Sequence, residues 1–134
     1  MPESLLIWGA GAIGGSVGAW LKRAGHDVTF VDVVPEHVAA IRGTGLRITG
    51  PVEQFPVTAP AVTPDAVAGT WRHVFLAVKA QHTEAAIRAL MPHLAQDGYV
   101  LSLQNGLNEL IIQRMAKSCS ATVAPSCWVN STVR

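Results

Sequence analysis

Gly9-Ala10-Gly11-Ala12-Ile13-Gly14 is a GxGxxG string set directly after the apolar run Ser4-Leu-Leu-Ile-Trp8. Glycines at this spacing have a chemical use when a strand precedes them and a helix follows. Gly9 takes the tight turn, Gly11 lets a pyrophosphate approach the backbone, and Gly14 lets the helix lie close to the strand. The start of that helix adds unpaired N–H groups and the positive end of a dipole, both suited to phosphate. Ala10, Ala12 and Ile13 belong to the same loop and are counted with the cofactor-binding residues. Asp32 lies eighteen residues beyond Gly14, at the end of the next apolar run. An acid at about that distance accepts hydrogen bonds from the adenosine ribose. Its charge repels a 2′-phosphate, which favours NAD over NADP. Two alternatives stay open: Arg42 and Arg47 could receive a 2′-phosphate, and a strand-end aspartate also serves as a cap.

Two further polar clusters follow apolar runs. Lys79 comes straight after Trp71–Val78, and Gln104-Asn105-Gly106 comes straight after Tyr99–Leu103. Ligands of open α/β sheets bind beyond the carboxyl ends of strands, so a cation and an amide at two such ends are candidate ligand groups. Asn105 would face the nicotinamide half of a dinucleotide; as plain alternatives, Asn-Gly is a turn former and Lys79 a solvated strand end. His82 reads equally as a helix-start residue or a ligand-facing group. His26, His37, His73 and His93 fall at element ends without metal-ligand spacing and are expected at the surface. Cys119 and Cys127 form neither a CxxC site nor a disulfide framework, and no metal is expected. The four tryptophans lack the spacing of a base-stacking platform and suit core or contact roles.

The elements needed to position these groups alternate. Strands are expected at Ser4–Trp8, Asp27–Asp32, Leu46–Thr49, Trp71–Val78 and Tyr99–Leu103, with a further one starting after Thr122. Helices are expected at Ala12–Ala24, ended by Gly25, at Pro35–Arg42, at Thr83–Ala95 and at Leu107–Ala116. In the first helix, small residues at 14, 15, 18 and 19 allow close approach to a sheet. Residues 50–64 carry four prolines and suit edge strands and turns. Right-handed crossovers then give a doubly wound α/β fold, a mostly parallel Rossmann-type sheet in one domain spanning 1–134.

Composition narrows the function. The 134 residues are 49% apolar and 14% charged, with a net charge of +1. That excludes a disordered chain and offers no basic stripe for nucleic acid. No apolar run reaches membrane-spanning length and the start lacks a basic leader, so a soluble cytoplasmic protein is expected.

Trp8-Gly-Ala-Gly-Ala-Ile-Gly-Gly15, Ala40–Ile48, Leu76-Ala-Val-Lys79-Ala80 and Leu103-Gln-Asn-Gly106 together resemble, in order, the motifs of the ketopantoate (2-dehydropantoate 2-) reductases. The resemblance implies that Lys79 helps hold the cofactor and that Asn105 touches the nicotinamide end and the substrate. It implies hydride transfer from NAD(P)H to a 2-keto acid, ketopantoate giving pantoate on the route to pantothenate. Three departures stand out. His82 occupies a place where the family commonly has glutamine. Asp32 stands near where well-studied, NADP-preferring members carry a basic residue. The family's proton-donor lysine belongs to a helical second domain that this chain lacks, and the chain stops at Arg134 inside what should be the remainder of the nucleotide domain. The expectation is a nucleotide-binding piece that binds cofactor without efficient turnover, alone, as a homodimer or beside a missing helical domain. Two other readings are a non-enzymatic dinucleotide-sensing module and another β-hydroxyacid dehydrogenase.

Overall fold

Leu5, Leu6, Ile7 and Trp8 are all buried, so the first strand, β1 (Ser4–Trp8), is covered on both faces. An unbroken apolar run is what a central parallel strand requires. The computed structural model describes residues 4–49, 51, 53–104, 114 and 128–130. In chain order the elements are β1, α1 (Ala12–Arg23), β2 (Asp27–Val31), α2 (Pro35–Arg42), β3 (Leu46–Thr49), β4 (Gln54–Val57) and β5 (Ala61–Val62). They continue with β6 (Trp71–Leu76), α3 (Thr83–Leu90), β7 (Leu94–Ser102) and β8 (Trp128–Asn130). Six strands form one sheet in the order β5-β2-β1-β6-β7-β8, and every pairing in it is parallel. The doubly wound, Rossmann-type sheet expected from the alternation is therefore present.

Alternate residues of the central strands feed two cores. Leu5, Ile7, Val28 and Phe30 pack with Val38, Ile41 and Ala61 on the α1–α2 side. Leu6, Trp8, Val31, Val74 and Leu76 pack with Ile87 and Leu90 of α3 on the other. Helix α1 sits tightly on its face: a Cβ added to Gly18 would lie 2.4 Å from the Phe30 ring.

Several expectations need correction. The strand Leu46–Thr49 does not join the main sheet; β3 pairs antiparallel with β4 as a separate hairpin, and β5 takes the edge beside β2. The reason is local. Leu46 and Ile48 are half-buried while Arg47 and Thr49 are exposed, a one-sided pattern that cannot be covered on both faces. The helix expected over Thr83–Ala95 stops at Leu90 and continues only as a 3-10 turn, Met91–His93. Pro92 has no N–H to give and its ring would crowd the Arg88 carbonyl. Strand β7 consequently starts at Leu94, with Ala95–Gly98 bulging between the pairs Trp71↔Leu94 and His73↔Tyr99. Strand β6 ends at Leu76, two residues early. His73, expected at the surface, is buried on β6 with its ring edge-on to Tyr99 at 4.9 Å, because both faces of that strand are covered. The helix expected at Leu107–Ala116 lies outside the described residues apart from Arg114, and Cys119 and Cys127 lie outside them altogether. Among the described residues no helix is long and apolar enough to cross a membrane, and no cluster of side chains could hold a metal ion.

Candidate functional site

The strands β1, β2 and β6 run in parallel, so their carboxyl ends open on the same rim, and a cavity of about 460 Å³ lies there. Gly9, Gly11, Asp32, Lys79 and His82 all line it. Its remaining lining is largely apolar and includes Val33, Pro64, Val78, Ala85 and Ala89.

The three motif glycines differ in what the fold asks of them. Gly9 has φ +102, and its N–H donates to the Val31 carbonyl at 2.8 Å. A Cβ there would sit 2.9 Å from the backbone of Ala77. At Gly14 a Cβ would fall 1.9 Å from the Gly9 carbonyl oxygen, so helix α1 can reach the loop only with hydrogen at this position. Gly11 is unlike both. Its φ is −76, and an added Cβ would meet nothing within 4 Å. The fold tolerates a side chain at Gly11, and the approach to its backbone is open. No side chain caps α1 and no acid sits in its first turn, which leaves its positive end facing the loop. These features fit a diphosphate.

Asp32 follows β2, and its carboxylate accepts hydrogen bonds from the Ala10 N–H at 3.1 Å and the Val34 N–H at 3.0 Å. It thereby ties the glycine loop to the entry of α2 while still lining the cavity. Ala10 itself is buried, Ala12 borders a second cleft, and Ile13 is 47% exposed. That second cleft, about 360 Å³, lies along α1 and β3, and Arg47 lines it together with Ser16 and His37. Arg47 does not line the Asp32 cavity, and Arg42 is exposed on the last turn of α2.

Lys79 is exposed, its backbone extended between Val78 and a 3-10 turn, Ala80–His82, that leads into α3. His82 is exposed at the same rim, beside Gln81 at 3.5 Å. Pro64, which also lines the cavity, opens a short 3-10 turn beside which the Thr63 hydroxyl, helped by a backbone N–H, holds Asp65 below the usual carboxylate range. Asn105 lies outside the described residues.

Two residues near the site make contacts that the sequence does not announce. His37, expected at the surface, is half-buried on α2, with Nε2 2.7 Å from the Ala10 carbonyl. Gln104 is buried and bonds across to the Lys79 segment. A polar amide directly after an apolar strand is the one local signal for Gln104; the His37 contact crosses from a helix to a distant loop and leaves none.

The chain is similar to known proteins over nearly all its length. It is 36% identical over 109 residues to the 2-dehydropantoate 2-reductase of Pyrococcus abyssi, covering 77% of this chain and 33% of that protein. A ketopantoate reductase structure from Ralstonia eutropha JMP134 matches at TM-score 0.74 and 38% identity, covering 84% of this chain and 37% of that one. A D-mandelate dehydrogenase solved with NADH and anilino(oxo)acetate matches at TM-score 0.77 and 28% identity, covering 84% and 36%. The chain thus spans about a third of the length of such relatives. The family model for Ketopantoate reductase PanE/ApbA matches residues 5–132, and the chain belongs to the ketopantoate reductase family.

Proposed function

We propose that this chain is the dinucleotide-binding part of a 2-dehydropantoate 2-reductase-like oxidoreductase, acting on a 2-keto acid. The observation that carries the reading is the convergence of Gly9, Gly11, Asp32 and Lys79 on one cavity at the carboxyl ends of three parallel strands. Gly11 and the first turn of α1 receive the pyrophosphate. Asp32 accepts from the ribose hydroxyls, and the slot between Val33, Pro64 and Ala89 takes the flat adenine. Lys79 offers its cation to the cofactor from the cavity rim, and Asn105 contacts the nicotinamide end and the substrate. The nicotinamide, when bound, supplies the hydride that turns the ketone into an alcohol.

NAD is the preferred form in this reading. Asp32 and Val33 present a carboxylate and an apolar side chain at the end of β2, which disfavours a 2′-phosphate. Reduction of a ketone also needs a proton donor for the developing alkoxide and a cleft that excludes water. Since the chain spans about a third of its relatives' length, we propose that it binds cofactor with little turnover by itself. A cytoplasmic location and a single domain over residues 1–134 belong to the same proposal. Calorimetric titration with NADH and, separately, NADPH tests it. Saturable binding with NADH the tighter is expected; a folded chain that binds neither overturns the reading.

A further inference from the structure

Gln104 sits just past β7 with only 7% of its surface exposed, yet its side chain has no free hydrogen-bonding group. Its amide nitrogen donates to the Val78 carbonyl oxygen at 2.7 Å and to the Thr83 hydroxyl oxygen at 2.7 Å. Its amide oxygen accepts from the Ser102 hydroxyl at 3.5 Å, and its own backbone N–H donates to that same hydroxyl oxygen at 3.4 Å. The two partners of the amide nitrogen bracket one segment. Val78 precedes Lys79, and Thr83, which is fully buried, follows His82 as the first residue of α3. Inside the segment the His82 N–H donates to the Lys79 carbonyl at 2.8 Å. One side chain therefore pins both ends of the loop that carries Lys79 and His82 into the cavity.

A purely apolar residue would fill this space without holding the loop. A buried amide with both N–H groups used fixes direction as well as position, and such networks act as units. We infer that Gln104 is a positioning residue for dinucleotide binding: it acts through Lys79, holding the Val78–Thr83 segment so that the lysine faces the bound cofactor. This rests on the dinucleotide reading above. It adds a residue that touches no ligand and links the end of β7 to the rim of β6.

The test is a double-variant cycle on NADH affinity, measured by calorimetry on the full chain, with folding followed by circular dichroism. Gln104→Leu should weaken NADH about tenfold, within the range of coupling inside one hydrogen-bond network. Combined with Lys79→Gln, the Gln104 substitution should cost almost nothing further. Thr83→Val breaks the same clamp from the other side and keeps the shape, so it should reproduce the loss and the coupling; Thr83→Ser should retain wild-type affinity. A Gln104 or Thr83 effect that is as large with Gln at position 79 as with Lys overturns the positioning role while leaving the dinucleotide reading intact. Failure of the wild-type chain to bind NADH overturns both.

Discussion

The carboxylate of Asp32 and the backbone N–H of Ala10 are joined at 3.1 Å across the gap between β2 and the glycine loop. The acid that would read the ribose is therefore also a strut for the loop that would read the phosphates. Replacing it has two consequences, which different measurements separate. Asp32→Ala should lower stability by about 1 kcal/mol through loss of the Ala10 and Val34 hydrogen bonds, read by urea denaturation. It should also weaken NADH and narrow the gap to NADPH. An unmoved NADH/NADPH ratio would remove Asp32 from the ribose.

The glycine loop allows binding and folding to be tested apart. Gly11→Val should leave the melting temperature nearly unchanged, because space around that position is open, and should abolish NADH binding. Gly14→Ala should instead lower stability, by about 3 kcal/mol, and weaken NADH along with it, because its methyl would meet the Gly9 carbonyl and displace the loop. Equal melting temperatures for the two variants would contradict the packing described for α1.

Lys79→Gln should weaken NADH about tenfold, the loss expected for one charge-assisted hydrogen bond. Because the side chain is exposed, stability should hardly change. Titration at two salt concentrations provides the check: the variant should show the shallower dependence.

Ile87 is fully buried against the β1–β6 face and anchors α3. Ile87→Ala should cost about 2–5 kcal/mol and lower the midpoint of thermal unfolding by about 10 °C. A loss below 1 kcal/mol would mean that α3 contributes little to the core.

Most of this site is legible in the sequence because its parts are local. A glycine string between an apolar run and a helix, an acid at the end of the next strand and a lysine straight after another apolar run all lie within a few residues of their own elements. Sheet order brings them together, and parallel crossovers fix sheet order. What the sequence hides is what depends on a distant neighbour. Leu46–Thr49 has strand chemistry and a one-sided alternation, but the antiparallel pairing with β4 that completes the separate hairpin has no mark within those four residues. His73 looks like any polar residue near a strand start until β7 supplies Tyr99 beside it. Gln104 announces itself as polar after an apolar run, whereas its two acceptors lie 21 and 26 residues away.

The edge of the sheet at β5 has a bearing on how the molecule behaves in a crowd. Only Ala61 and Val62 form that edge, and Pro60 and Pro64 flank them closely. The Phe30 and Asp32 N–H groups spend themselves on the carbonyls of Pro60 and Val62, on the inner side. Outward there remains a stub of two residues bracketed by rings that cannot donate. An unfolded neighbour seeking a strand to extend would find almost no template here, so the shortness of this margin and its flanking prolines disfavour cross-β extension.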